Sequence, residues 1–331
     1  MTPRRSTWLP IVVLVALLGG LVLLLRSPSE GPKAAEPAQS PAITARPAGR
    51  LVALPGQAEG VAVDPATGLA AIAVSRPPRL VVVDPARGRV VRSVRLPSFA
   101  RHLQPGDPGE VLVPAERANA LVRVDVRSGA TRQTRVGEHP HDAALVAGRV
   151  VAGNEFGDSI SIIEPGGAVR DVRTAAQPGG VAAGGTLAAV VAVGRHVLET
   201  YDVPRALRLE RVPAGRGPTH IAALPNGRVV VVDTAGDALL VFGLRPHLRL
   251  VARTKLAGVP YGIAVDAARR RLWVTLTAEN RVAEVALTGG APRLLRTLPT
   301  VRQPNGIAVD PRTGRVLITG REPGVLELIE P

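Results

Sequence analysis

One short phrase recurs along this chain: a proline, a variable residue, a residue that is usually Gly or His, then an aliphatic and Ala-rich run. It reads QPGGVAA from Gln177, GPTHIAA from Gly217, VPYGIAV from Val259 and QPNGIAV from Gln303. HPHDAAL from His139 and AEGVAV from Ala58 are close variants, and ARHLQ around Arg101 is the most degenerate. The third column is Gly60, His102, Asp142, Gly180, His220, Gly262 and Gly306, with separations of 42, 40, 38, 40, 42 and 44 residues. Periods of about 40–45 residues belong to propeller blades or helical repeats.

The content of each period decides between them. Runs such as VVVVD (Val229 to Asp233), LLVF (Leu239 to Phe242), LVVVD (Leu80 to Asp84) and RVVRSVRL (Arg89 to Leu96) are separated by the turns DPATG (Asp64 to Gly68), DPARG (Asp84 to Gly88), PNG (Pro225 to Gly227) and DPRTG (Asp310 to Gly314). Short β-branched runs bounded by Pro, Gly and Asp are strands, whereas a helical repeat needs longer runs at 3.6-residue spacing. Each period therefore supplies four antiparallel strands, and seven periods predict an all-β seven-bladed propeller over residues 49–331. The seventh copy has room for only three strands. The unassigned run RLVAL, Arg50 to Leu54, is placed to supply the fourth and close the ring, which protects an otherwise open sheet edge. An open β-solenoid explains neither the extra strand nor the count.

The P-x-G-I-A-V-D phrase, the D-P-x-T-G turn and the V-V-D strand endings resemble the YVTN repeat family of seven-bladed β-propellers, which includes YncE-like proteins. That resemblance covers almost all of Gly49 to Pro331 and implies an extracytoplasmic binding or scaffold protein. The WD-repeat pattern does not fit, because Trp273 is the only tryptophan beyond residue 8 and no Trp-Asp pair occurs.

Ahead of the repeats, Trp8 to Leu25 reads WLPIVVLVALLGGLVLLL without a charge. At 1.5 Å per residue it makes about 27 Å of helix, close to a ~30 Å hydrocarbon core. Arg4 and Arg5 precede it, so the positive-inside bias places residues 1–7 in the cytoplasm and the propeller outside, tethered as a single-pass membrane protein. The run is long for a secretory signal, although cleavage at the weak Ser27/Ser29 site would instead give a secreted domain. Residues 26–48 are rich in Pro and Ala and read as an extended spacer.

The formal charge is +14, almost wholly arginine, since Lys33 and Lys255 are the only lysines. Residues 1–48 account for +3, which leaves the propeller at +11. A basic surface admits an acidic polymer as partner. Aromatics are only 2% of the chain, which argues against nucleic acid, because single-strand binders stack bases on aromatic platforms. The absence of Cys excludes a cysteine nucleophile, a disulfide scaffold and a Cys-ligated metal.

The D-P-x-T-G turns are structural: Asp caps, Pro presets φ and Gly accepts positive φ. Functional residues are expected on the opposite, loop-rich face. There the variable column is Glu59, Arg101, His141, Gly179, Thr219, Tyr261 and Asn305, ringing the channel mouth, with His102, Asp142 and His220 beside it. Loops between second and third strands add Glu116, Asn154 and Glu155, among others. His139, His141 and Asp142 form the sharpest local cluster, since an H-x-H pair in extended chain can share a metal, with Glu155 or His220 as a third ligand. Pro140 between the histidines makes a plain loop equally natural.

Two enzyme families bear on the same face. AEGVAVDPATG from Ala58 and PNGIAVDPRTG from Pro304 are similar to phrases in gluconolactonase-like propellers, whose Glu, Asn and Asp hold a divalent metal. Glu59 and Asn305 match by type, as first- and last-blade neighbours, but the column has no Asp and that family has six blades. GPTHIAALPNG from Gly217 resembles the repeat of the seven-bladed streptogramin lyases, which use His and Glu near the mouth, though their aromatic blade markers are absent. The chain is therefore read as a membrane-tethered binding or scaffold module for an extracytoplasmic protein, a small molecule or an acidic polymer. The alternative is a metal-assisted lactonase or lyase. No cofactor is predicted, and a divalent metal stays an option.

Overall fold

The computed structural model describes residues 33–287, 291–322 and 324–331. The span Trp8 to Leu25 lies outside the described residues. Among the described residues no helix is long and apolar enough to cross a membrane, and helical structure amounts to two 3-10 turns, Glu116–Ala118 and Thr234–Gly236.

Seven four-stranded antiparallel sheets follow one another along the chain. Their innermost strands are Gln57–Val63, Gln104–Pro105, Pro140–Val146, Pro178–Gly184, Pro218–Leu224, Pro260–Asp266 and Pro304–Val309, here called the first strands of blades 1 to 7. Each recurring phrase thus opens a blade. In blade 2 the strand shrinks to two residues, and Pro105, Gly106 and Pro108 explain why: two prolines lack the N–H that a ladder needs. Blade 7 is completed as the repeat count requires. Arg50–Ala53 pairs antiparallel with Val325–Ile329, in the register Arg50 with Leu328 and Ala53 with Val325.

The turns behave as their residues dictate. The Asp64 carboxylate accepts the Thr67 N–H at 2.8 Å, and its own carbonyl accepts the Gly68 N–H at 2.8 Å, with φ +71° at Gly68. Asp310 caps its turn in a related way, its carboxylate accepting from the Thr313 hydroxyl at 3.0 Å and its carbonyl from Gly314 N–H at 2.8 Å. The other Asp64 oxygen reaches Gly109 N–H of the next blade at 3.0 Å, so a turn cap also ties neighbouring blades.

A second device pins the linkers that enter blades. A polar residue in the third strand points at the incoming backbone: Ser161 Oγ accepts Gly137 N–H at 3.1 Å, Glu199 accepts Ala175 N–H at 2.8 Å, and Glu327 accepts Val301 N–H at 3.2 Å. Glu327 also accepts Gly49 N–H at 2.7 Å, holding the chain just before the closing strand. Buried backbone donors need such partners, and between sheets no ladder supplies them.

The arginines are sorted outward. The fourth strands, paired only on their inner side, are the exposed edges and carry Arg89, Arg92, Arg95, Arg132, Arg135, Arg208, Arg211, Arg249, Arg293 and Arg296. Charge on an open edge discourages edge-to-edge pairing. The basicity therefore belongs to the circumference.

First strands crowd the axis, and this accounts for the glycine column. A Cβ on Gly306 would meet Glu59 O at 2.0 Å, and one on Gly262 would meet Asn305 O at 2.6 Å. Most of these strands slip register just after their proline, between Pro140 and Asp142 and between Pro218 and Ile221 for example. A bulge of this kind re-aims side chains. It turns the variable column onto the rim and, in blade 5, sends the His220 imidazole to the wall of a central channel of about 420 Å³, which His102 reaches from the segment before the short first strand of blade 2.

Candidate functional site

Three imidazoles and a phenol meet at the channel mouth. The His102 ring centre is 4.5 Å from that of His141 and 4.7 Å from that of His220, both tilted, and Tyr261 meets His220 edge-on at 4.3 Å. Burial pushes His102 well below the ordinary histidine range, with His141, His220 and Arg101 adding to it. His220 is pushed down to about 3 by burial and then by His141. Both are neutral imidazoles at pH 7, and His220 Nδ1 is buried without a hydrogen-bond partner. Burial, with the Glu59 and Glu36 carboxylates nearby, also pushes the Tyr261 phenol up and keeps its proton on.

Beside this group lies a charged cluster. Arg101 Nε donates to Glu116 Oε1 at 2.8 Å, and its Nη2 is 3.6 Å from Glu155 Oε2. Burial works against the Arg101 charge, but the Glu116, Glu155 and Glu59 carboxylates outweigh it. His139 Nδ1 and His141 Nδ1 face the same Glu155 oxygen at 3.3 and 3.2 Å. Burial alone would raise the Glu155 carboxyl; His141, Arg101 and His139 hold it below the usual range. His139, His141 and Glu155 offer ligand atoms that all lie within 4.8 Å of one another. Blade 3 provides this group through its incoming segment and the turn after its second strand, and Phe156 in that turn stacks on His139 at 4.2 Å. His139 has φ +56°, but so do Gln177, Val259 and Gln303 within a few degrees, each before the blade's proline. This conformation is a property of the repeat.

The other expected site residues go elsewhere. Asp142 is buried and its carboxylate accepts from Ala143 N at 2.8 Å, Val181 N at 3.0 Å and Gln104 Nε2 at 3.2 Å, so it clamps blades 2, 3 and 4 together. Burial pushes it up to about 6 against those hydrogen bonds. Asn154 is wholly buried and donates to Ser159 Oγ and Ser161 Oγ at 3.0 and 2.9 Å, inside its own blade. Glu59 and Asn305 do meet across the seam between first and last blades, Asn305 Nδ2 to Glu59 Oε1 at 3.5 Å, and burial raises the Glu59 carboxyl.

Residues 34–48, from the stretch read as a spacer, lie extended across the loop-rich face. Gln303 clasps them in both directions, its Oε1 accepting Ser40 N–H at 3.0 Å and its Nε2 donating to Ala38 O at 2.8 Å. Thr277 Oγ1 accepts Ala38 N–H at 3.0 Å, and Asn280 Nδ2 donates to Pro41 O at 2.9 Å. Ala34, Ala35 and Glu36 then roof a small cavity of about 30 Å³ whose other walls include Arg101, His102, His141, Glu155, His220 and Tyr261. Composition gave no hint of this strap, because a Pro/Ala-rich segment has no periodicity to reveal a docking face. The pairing of Glu116 with Arg101 was equally hidden, since the two come from separate loops of blade 2.

No family model matches the chain, and no curated protein matches it in sequence. Solved structures match in fold. A streptogramin B lyase superposes with a TM-score of 0.71 at 13% identity, over 84% of this chain and 97% of that one. A chain of the Kuenenia stuttgartiensis hydrazine synthase gives 0.72 at 14%, over 84% and 96%, and a chain of the mitotic checkpoint complex gives 0.74 at 12%, over 93% and 98%. What the chain shares with all three is the β-propeller fold, an architecture used by enzymes and by assembly subunits alike.

Proposed function

We propose that this chain is a membrane-tethered, extracytoplasmic propeller of the YVTN, YncE-like type that binds a ligand at the loop-rich mouth of its channel. One observation carries the reading. His102, His141, His220, Tyr261 and Arg101 converge on a small roofed cavity in a domain whose axis is otherwise lined mainly with Ala, Gly, Val and Ile, Gln104, Asp142 and Asn305 being its other polar residues. His220 Nδ1 is left unspent there, and buried polar atoms are normally paired. A group bearing a hydrogen-bond donor is the natural complement to a neutral imidazole, and the strap shows that an extended backbone can lie over this face. Rigid scaffolds concentrate recognition in such loops.

The test is a thermal-shift screen of the purified chain against peptides, small carboxylic acids and acidic oligosaccharides. A true ligand raises the midpoint as the logarithm of its concentration, and the shift vanishes in His220→Ala. Ligands whose effect survives both His220→Ala and His102→Ala would place recognition elsewhere. The tether is tested by carbonate extraction of membranes together with protease treatment of spheroplasts. Release by carbonate, or protection of the propeller from external protease, overturns it.

A second reading, a metal-assisted lactonase or lyase, is favoured by Glu155 standing between two histidines and an arginine at the same mouth. Mass spectrometry of lactones and cyclic depsipeptides incubated with the protein and divalent ions decides it, and unchanged substrate masses remove it.

A further inference from the structure

We propose that His139, His141 and Glu155 form a three-ligand site for a borderline divalent transition-metal ion of the Zn²⁺ or Co²⁺ class, with its fourth position open to the cavity under the strap. The site stands on its own geometry and needs neither the ligand reading nor the enzyme reading to be correct.

Two ligand atoms bound at about 2.0–2.1 Å to one tetrahedral ion stand about 3.3–3.4 Å apart. Glu155 Oε2 is 3.3 Å from His139 Nδ1 and 3.2 Å from His141 Nδ1, so two edges of the tetrahedron are in place, and all three ligand atoms fall within 4.8 Å. Those same three atoms, His139 Nδ1, His141 Nδ1 and Glu155 Oε2, are buried and make no hydrogen bond, although they face one another at hydrogen-bond range. His141 is 9% and Glu155 8% exposed. Buried nitrogen and oxygen atoms paired by charge at 3.2–3.3 Å but short of well-formed hydrogen bonds can be satisfied by an ion placed between them.

The surroundings fit. Glu116 lies 3.6 Å from His139 Nε2 through one oxygen and 3.6 Å from His141 Nδ1 through the other, a carboxylate placed beside both rings. Through His139 Nε2, the nitrogen left over when Nδ1 ligates, Glu116 orients that imidazole, whereas at His141 it lies beside the ligating nitrogen itself. Phe156 stacked on His139 fixes that ring from the other side. Two nitrogens and one carboxylate favour zinc, cobalt, nickel or copper over magnesium or calcium, which take oxygen ligands. His141 and Glu155 also line the roofed cavity, which puts the open position where a ligand donor or water can reach it. The one opposing group is Arg101, whose Nη2 is 3.6 Å from Glu155 Oε2 and whose Nε is held by Glu116. Its guanidinium competes with the ion for the carboxylates.

The experiment is Co²⁺ titration of the full, untagged, chelator-treated chain, read by visible absorption and calorimetry, with Zn²⁺ as competitor. The expected result is one equivalent of Co²⁺ with a tetrahedral-type spectrum that Zn²⁺ abolishes. His141→Ala and Glu155→Gln should weaken binding by more than about 100-fold, beyond what loss of an outer-shell partner costs. His247→Ala, which removes an exposed histidine, should leave it unchanged, and Arg101→Gln should tighten it several-fold. Metal-free circular dichroism and urea midpoints of each variant show whether it is folded. No saturable binding, or binding that survives both ligand substitutions in folded protein, overturns the proposal. So does an Arg101→Gln variant that binds more weakly, because the cluster is then an ion pair completed by arginine. Loss of metal with His102→Ala and His220→Ala unaffected leaves the ligand reading above to its own test.

Discussion

Replacing Glu327 should open the ring at its seam. The side chain is wholly buried in the third strand of blade 7, where it accepts Gly49 N–H at 2.7 Å, Val301 N–H at 3.2 Å and the Thr300 hydroxyl. In Glu327→Ala the hydroxyl can turn to another acceptor, but the two amides cannot, and each stranded buried donor costs about 1–3 kcal/mol. The one lost methylene adds about 0.8 kcal/mol. Relief of a carboxylate whose charge is disfavoured by burial returns part of this, so the net loss should be about 3–5 kcal/mol. Against a whole-domain stability of about 5–15 kcal/mol this is a large fraction. In urea it should lower the midpoint by about 1–1.7 M if the slope is near 3 kcal/mol/M. Glu327→Gln keeps an acceptor and should lose less than half as much. It should also remove a pH dependence of known sign. The folded carboxyl is raised above its ordinary value, so its contribution is complete below that value and is lost as pH rises through the folded one. Urea unfolding followed by far-ultraviolet circular dichroism at pH 4, 5.5 and 7 reads all of this. An alanine variant within about 0.5 kcal/mol of the parent, or a glutamine variant as unstable as alanine, would refute the reasoning.

Gly306→Ala, whose new Cβ would stand 2.0 Å from Glu59 O, should cost at least about 1–3 kcal/mol by overpacking. Gly227→Ala, at φ +65° with open space around it, should cost about 1 kcal/mol of backbone strain, and thermal midpoints compare the two. His220, near 3 when folded against about 6.5 unfolded, should leave stability unaffected above pH 6.5 and erode it as pH falls towards 3. The slope is at most about 1.4 kcal/mol per pH unit, reduced by channel water, and His220→Phe should flatten that limb in acid-unfolding curves. Gln303→Ala, which removes both hydrogen bonds to Ser40 and Ala38, should speed protease cleavage within residues 34–48 while the propeller's urea midpoint stays put.

The fold was legible because its determinants are local and repeated. Seven copies of one phrase and a spare strand state the same count, capped turns mark the strand ends, and Arg50–Ala53 pairs where that count required. The rim was legible in part: the repeat spacing put His141, His102, His220 and Tyr261 together as the column suggested, with a bulge after the proline in the blades of His141, His220 and Tyr261. What distinguishes Asp142 from His141 is one residue of register at that bulge, which sends the carboxylate to Val181 of the next blade. Only the close approach of two first strands decides that, and sequence spacing does not contain it. The strap was invisible for a related reason. Its contacts join residues more than 230 positions apart through single hydrogen bonds, leaving no pattern within either segment.

The seam also imposes an order in time. Arg50–Ala53 is among the earliest propeller residues to leave the ribosome, yet its partner Val325–Ile329 is synthesised some 270 residues later. At about 5–20 residues per second, that is a wait on the order of 15–50 s during which the first strand has no sheet to join. Six blades can assemble as nearest-neighbour units in that interval, each burying its own contacts. The ring therefore behaves as an unfastened belt until Val325–Ile329 has been made, and the four-residue closing strand is short enough to wait without offering a long sticky edge to its neighbours.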